Sequence, residues 1–275
     1  MAFIALIRPV NGLLTALSVY VGALAAGHYQ AHFPLVLAAF SAALIASAGY
    51  AFNDAIDLAI DRINRPQRPL PGGKISRRTA LWISAGGAGL GLLLGLYIGV
   101  ATGAMALGVI LALTLYSLAL KQRPFWGNLL VSLVAAAAFL YGALAVGAWG
   151  RSWIPAAFAG LYHLGREIVK DLEDIEGDRA LGARTLPLYW SPAAAACCVA
   201  AIFAGLIALT LLPWAQDIYG PAYLMPVLAV DILLLYVLVE LGRHRAVLPT
   251  PRLSKLLTGG MLLGLLAIVI GELGR

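Results

Sequence analysis

Charge is scarce in this chain. Only 12% of its 275 residues are Asp, Glu, Lys or Arg, about half the share of an ordinary soluble domain. That scarcity excludes a water-exposed surface over most of the length. No polar block is long enough to fold by itself in water, which excludes a separate soluble domain. Cysteine is scarcer still: Cys197 and Cys198 are the only two, adjacent within an apolar run. On a helix such neighbours point about 100° apart, a poor geometry for a disulfide. Both read as small packing residues, with no redox or metal role.

What fills the space is apolar: 61% of residues are hydrophobic, and the mean hydropathy is +0.89. A helix needs about 20 such residues to cross the hydrocarbon core. Runs of that kind cover 10–27, 34–53, 79–99, 102–120, 127–147, 153–169, 192–213, 222–241 and 254–272. The expected fold is all-α: one membrane domain over residues 1–275, a bundle of about nine transmembrane helices. The third and fourth spans should be joined by a tight turn around Ala101 and Thr102, allowed by Gly99 and Gly103. Gly86, Gly87, Gly89, Gly91 and Gly95 read as close helix packing in lipid.

Lys and Arg set an expected orientation. Numbering the loops alternately puts 17 of the 19 basic residues on the side of the N-terminus, with Arg151 and Arg275 alone on the other. By the positive-inside rule the crowded side is cytoplasmic, and nine spans place the C-terminus outside. The first apolar run is full length, so no signal peptide is expected. A pI near 9.5 is accounted for by topology, anionic lipid heads and an anionic substrate rather than by nucleic acid.

The few acids are concentrated. Of 13 Asp and Glu, three lie in NDAIDLAID, Asn53–Asp61, and five in KDLEDIEGD, Lys170–Asp178. Both segments fall at cytoplasmic ends of expected spans. Asp54, Asp57 and Asp61 are spaced by 3 and 4, and so are Asp171, Asp174 and Asp178, with one offset of 117 (171−54, 174−57, 178−61). Arg62 and Arg179 follow directly, and Leu-Pro follows soon after at Leu70-Pro71 and Leu186-Pro187. The pattern reads as a doubled half-site in two pseudo-equivalent halves, about 1–125 and 126–275.

Spacings of 3 and 4 put three carboxylates on one helix face. They repel one another and are costly near lipid, so a positive partner is expected. No His or Cys joins them at these spacings, which argues against zinc, copper or iron. Oxygen donors alone favour magnesium, manganese or calcium, and magnesium fills its shell with one or two carboxylates, water and phosphate oxygens. Two such segments facing each other are suited to a metal–diphosphate–metal bridge. Arg62, Arg65, Arg68, Lys121 and Lys170, within or beside the motifs, are candidate clamps for the diphosphate.

With those residues in view, the chain resembles the UbiA superfamily of intramembrane prenyltransferases. NDAIDLAIDRINRPQRPLPGG (Asn53–Gly73) is similar to its first signature, YSLALK (Tyr116–Lys121) to a second, shorter one, and KDLEDIEGD to its second aspartate motif. IRPVN (Ile7–Asn11) fits the family's opening, and Gly72 stands where many members have Ser. The resemblance implies nine helices around a central cavity open toward the cytoplasm. It implies magnesium, two ions, and transfer of a prenyl group from its diphosphate. It further implies Asn53, Asp57, Asp61, Asp171, Asp174 and Asp178 as metal ligands. Of these, Asp57, Asp61, Asp174 and Asp178 are expected to be essential to turnover together with Lys121, and Asn11 joins the diphosphate clamps.

Such chemistry makes an allylic cation that must be kept from water, which apolar helices accomplish. Tyr50, Tyr116, Phe158 and Tyr162 are candidates to face the cation, although each alone also reads as packing or an interfacial anchor. The acceptor is harder to read. The stretch Arg166–Pro187 most resembles the branch that forms digeranylgeranylglyceryl phosphate, which implies a geranylgeranyl group and a glycerol-phosphate ether as acceptor. Arg8, Arg166, Arg179 and Arg184 are candidate partners for the acceptor's anionic group. An aromatic acid acceptor of quinone biosynthesis would use the same arginines. A terpene cyclase on the same bundle is a third reading. A transporter of anionic lipid is the reading from another class, but it would line its site with cations rather than two matched sets of aspartates.

Overall fold

A computed structural model describes residues 2–30, 32–121, 123–180, 182–243 and 253–274. All regular structure among them is helical. The chain forms two compact units, Met1–Leu120 with Ala137–Trp153, and Lys121–Ala136 with Ile154–Arg275.

The first unit contains α1 (Ala2–Ile7), α2 (Pro9–Ala25), α3 (Phe33–Ile56), α4 (Leu58–Asn64), α5 (Arg77–Ile98) and α6 (Val100–Leu115). A π-helical turn, Tyr116–Leu120, continues α6. The part of α7 (Trp126–Ala145) from Ala137 onward completes the unit. Its core uses small residues: Val19, Ala23, Ala38, Ala39, Ile45 and Ala106 pack around Tyr141. Buried hydroxyls of this core find partners within it. Ser41 Oγ lies 2.7 Å from the Gly91 carbonyl and 2.9 Å from the Tyr141 hydroxyl.

The second unit holds the start of α7, then α8 (Trp153–Glu173), α9 (Ile175–Ala180), α10 (Leu186–Tyr189), α11 (Pro192–Ala215), a short 3-10 turn (Pro221–Tyr223), α12 (Leu224–Arg243) and α13 (Leu253–Leu273). Its core is larger in side chain, with Ile168, Val199, Phe203, Leu206, Leu234, Val237 and Leu257. Cys198 packs against it and Cys197 is exposed, both as free thiols.

Among the described residues seven helical stretches are long and apolar enough to cross a membrane: 33–56, 77–98, 100–120, 126–145, 192–215, 221–243 and 253–273. The other two expected spans are helices of different character. The α2 helix is apolar but has only 17 residues. The α8 helix carries Arg166, Glu167, Lys170, Asp171 and Glu173 in its last turns. The link between the third and fourth spans is shorter than the sequence suggests. It is Gly99 alone, and Ala101 and Thr102 already belong to α6. Thr102 seals the break, with its hydroxyl 2.6 Å from the Gly95 carbonyl. The glycines of α5 divide by face: Gly87, Gly91 and Gly95 lie against Ala48, Ile45 and Tyr141, whereas a side chain at Gly86 or Gly89 would meet open space.

Candidate active site

The first aspartate motif is not one continuous helix. The α3 helix stops at Ile56, Asp57 adopts φ −80° and ψ 4°, and α4 begins at Leu58. Backbone hydrogen bonding carries across the break, from Asp57 N–H to the Asn53 carbonyl (2.9 Å) and from Asp61 N–H to the Asp57 carbonyl (2.8 Å). The three carboxyls stay close and buried, at 2% exposure for Asp54 and 5% each for Asp57 and Asp61. Their partners differ. Asn53 Nδ2 donates to Asp57 Oδ2 at 2.7 Å. Arg68 Nη1 donates to Asp61 Oδ2 at 2.6 Å and reaches Asp54 Oδ1 at 3.2 Å. Arg8 Nη2 donates to that same Asp54 oxygen at 2.6 Å, with its guanidinium 4.7 Å above the Tyr50 ring.

The spacing therefore does not make three like ligands. Asp54 Oδ1 is taken by two arginines, whereas Asp61 is bonded to one and Asp57 accepts from the Asn53 amide. The π turn brings in a residue that spacing could not reveal. Ser117 donates to the Leu113 carbonyl at 3.0 Å and lies 3.5 Å from Asn53 Oδ1. The signal that was available is the YSLALK stretch itself, because π turns recur at functional sites.

The second motif repeats the backbone of the first. The α8 helix ends at Glu173, α9 begins at Ile175, and Asp174 sits at the break. Asp174 N–H bonds the Lys170 carbonyl at 3.0 Å and Asp178 N–H the Asp174 carbonyl at 2.9 Å. These match the two bonds of the first motif residue for residue. The side-chain surroundings do not match. Asp171, the counterpart of Asp54, accepts a neutral amide hydrogen bond from Asn128 Nδ2 at 2.8 Å. Burial pushes the Asp178 carboxyl above its ordinary range and neighbouring Asp174 pushes the same way, while Lys121 and Lys170 pull it down.

Some acids of this motif hold structure. Glu173 Oε1 accepts from Leu253 N–H (2.8 Å) and Ser254 N–H (3.1 Å), capping the start of α13. Glu167, which the spacing argument passed over, is buried and bonded to Arg166 Nη1 (2.6 Å) and Lys170 Nζ (2.9 Å). Arg166 also donates to Thr258 Oγ1 at 3.1–3.2 Å, so it is anchored on two sides. Arg179 and Arg184 are exposed, as is Arg62, while Arg65 and Lys121 are half-buried. Asn11 is in the first turn of α2, half-buried, with its carbonyl bonded to Thr15.

The aromatic candidates separate. Tyr50 stacks with Arg8, Tyr116 opens the π turn half-buried, and Phe158 packs on the edge of the second core. Tyr162 lies inside that core, its hydroxyl donating to the Leu257 carbonyl at 2.7 Å. Among the described residues no three His, Cys, Asp or Glu side chains converge to hold an ion unaided. The donor set is nonetheless of magnesium's kind: oxygen only, with phosphate and water completing a shell of few carboxylates.

The sequence profile of the UbiA prenyltransferase family matches residues 15–256. The chain belongs to this family. As a UbiA-family prenyltransferase it is a multi-pass membrane enzyme, and its similarities run the full length. Digeranylgeranylglyceryl phosphate synthase of Methanopyrus kandleri is 40% identical over 275 residues, with 98% of each chain covered. The protein of that name from Thermococcus kodakarensis is 36% identical, over 100% of this chain and 99% of its own. A solved structure described as digeranylgeranylglyceryl phosphate synthase in membranes superimposes with a TM-score of 0.78 at 30% identity, covering 100% of this chain and 98% of that one. A UbiA homologue from Archaeoglobus fulgidus bound to DMAPP and Mg2+ shares the fold at a TM-score of 0.72 and 21% identity, with 98% of both chains covered.

Proposed function

We propose that this prenyltransferase moves a geranylgeranyl group from its diphosphate to the sn-2 hydroxyl of geranylgeranylglyceryl phosphate, with magnesium, at the cytoplasmic face of the cell membrane. The observation that carries the reading is the doubled broken-helix motif, with matched carboxylates at 57 and 174 and at 61 and 178. The acceptor is supported by the full-length relatives that bear the synthase name.

Residues take the following parts. Asn53, Asp57, Asp61, Asp171, Asp174 and Asp178 would hold two magnesium ions. When bound, the metal offsets the charge that collects on the departing diphosphate. Arg62, Arg65, Arg68, Lys121, Lys170 and Asn11 bind and orient that diphosphate and take up charge as the allylic C–O bond breaks. Tyr50, Tyr116 and Phe158 are the aromatic candidates to meet the prenyl chain, and the apolar helices keep water from the cation until the acceptor oxygen attacks it. Arg166, Arg179 and Arg184 serve the acceptor's phosphate. The whole chain works as one prenyltransferase domain.

The test is direct. Purified enzyme with magnesium and geranylgeranyl diphosphate is offered geranylgeranylglyceryl phosphate or 4-hydroxybenzoate, and products are weighed by mass spectrometry. The glycerol ether is expected to be consumed at least about tenfold faster, because a site shaped for a phosphate and a long ether chain is only partly filled by a small aromatic carboxylate. Faster prenylation of 4-hydroxybenzoate overturns the lipid assignment.

Orientation has its own measurement. Lys74→Cys in a background lacking Cys197 and Cys198 should react with impermeant reagent in inside-out vesicles and stay unlabelled in intact cells. Labelling of intact cells reverses the proposed topology.

A further inference from the structure

We infer that Asp54 is a positioning residue that presents Arg8 and Arg68 to the diphosphate of the prenyl donor, and that Arg8 therefore belongs to the donor's anion site rather than the acceptor's. The inference rests on the prenyl-transfer reading above and adds a role to a residue that spacing alone would make a third metal ligand.

The geometry is specific. One carboxylate oxygen, Asp54 Oδ1, takes both guanidiniums, at 2.6 and 3.2 Å. An oxygen facing two cations at that range is a poor site for a divalent ion, because the three positive groups would repel one another. Its neighbours are met differently: Asp61 Oδ2 takes Arg68, and Asp57 Oδ2 takes the Asn53 amide. Holding two arginines on one oxygen also forces them side by side. Left alone they would separate; a buried carboxylate prevents it.

The arginines are not used up by this. A guanidinium has five N–H donors. Among the described residues Arg8 spends one of them, on Asp54, and lays its face on Tyr50. Arg68 spends Nη1 alone, on Asp54 and Asp61. Their side chains remain 28% and 20% exposed, so neither is sealed off from a ligand. Two adjacent planar forks match a diphosphate better than a lone carboxylate or single phosphate, since each fork can take oxygens of a different phosphorus.

The backbone is shaped for it. Arg8 is in the left-handed region, at φ 49° and ψ 65°, between α1 and α2. The residue before a proline is pushed toward extended conformations, and Pro9 follows. Such a conformation costs on the order of 1–3 kcal/mol and persists only where surrounding contacts hold it. Here those contacts are the Asp54 ion pair and the Tyr50 ring. The second motif is built differently: its first aspartate, Asp171, accepts a hydrogen bond from the Asn128 amide. The two halves are thus matched in their metal-facing acids and unmatched in this first aspartate.

Calorimetry with inorganic pyrophosphate in saturating magnesium tests the inference without an acceptor. Asp54→Asn, Arg8→Gln and Arg68→Gln should each weaken pyrophosphate binding about 10–100-fold, the range for losing one charge-assisted hydrogen bond. The double variant Asp54→Asn with Arg8→Gln should be little worse than either single one. The magnesium concentration for half-maximal binding should stay within about threefold of wild type, and Arg8→Lys should recover part of the affinity. If Asp54→Asn does not fold, the two arginine variants carry the test. Wild-type affinity in either folded arginine variant overturns the inference, as does an Asp54→Asn variant whose defect is cured by more magnesium. If wild type itself binds no pyrophosphate with magnesium, the prenyl-transfer reading falls and this role falls with it.

Discussion

Asp57→Ala, Asp61→Ala, Asp174→Ala and Asp178→Ala should each lower kcat by roughly 10²–10³-fold or more, the scale of losing one group that stabilises charge in a transition state. Each of these acids stands at or one turn beyond a helix break shared by both motifs. That placement holds the oxygens on a fixed backbone, so little reorganisation is left for the moment of reaction. The variants should remain folded. Removing a carboxylate from a crowded set relieves repulsion, and this offsets the loss of one contact, such as Asn53 to Asp57 or Arg68 to Asp61. Turnover and thermal unfolding measured on the same preparations separate the two effects. Full activity in three of the four, or in wild type with excess chelator, would sink the metal reading.

Much of this was legible because membrane sequences are constrained. Water is absent from the hydrocarbon core, so the backbone must pair within each segment and the apolar runs announce the helices. All nine expected runs coincide with helices, and seven meet the demands of a crossing. The acids were equally exposed to view, because charge in such a chain survives only where it is used.

What spacing could not supply was the partner of each acid. Asp54 looks identical to Asp171 in its intervals, yet one meets Arg8 from 46 residues away and the other meets Asn128. Glu173 reads as part of an acidic motif and is spent on the N-terminus of α13, 80 residues later. Tyr162 and Tyr50 read alike as aromatics near a site, but only Tyr50 stacks on a cation. The breaks at Asp57 and Asp174 follow no glycine or proline, so no local signal marks them. They arise from tertiary contacts, and periodicity carries no record of those. A lone amide early in an apolar run was a usable clue, and Asn128 would have been found by it.

The seating of α2 should prove as decisive as the acids themselves. Gly22 and Gly142 form a reciprocal contact within the first unit. A Cβ on Gly22 would overlap the Phe139 carbonyl, and one on Gly142 would overlap the Val19 carbonyl. Backbone meets backbone here, so no flexible side chain can yield, and small residues let the two helices approach. Gly142→Leu and Gly22→Leu are expected to cost about 3 kcal/mol or more, the upper end for overpacking, with loss of most folded protein from the membrane. Gly86→Ala and Gly89→Ala are the controls, since a Cβ there meets nothing within 4 Å; they should be neutral or gain about 0.5–1 kcal/mol of helix propensity. Thermal unfolding in detergent compares the four, and a Gly142→Leu protein that melts like wild type refutes the packing argument. The milder Gly22→Ala links packing to chemistry. The α2 helix starts at Pro9, directly after Arg8, so pushing α2 off α7 moves Arg8 away from Tyr50 and Asp54. A variant that still folds should therefore bind magnesium pyrophosphate more weakly, although Gly22 lies more than three turns of helix from Arg8.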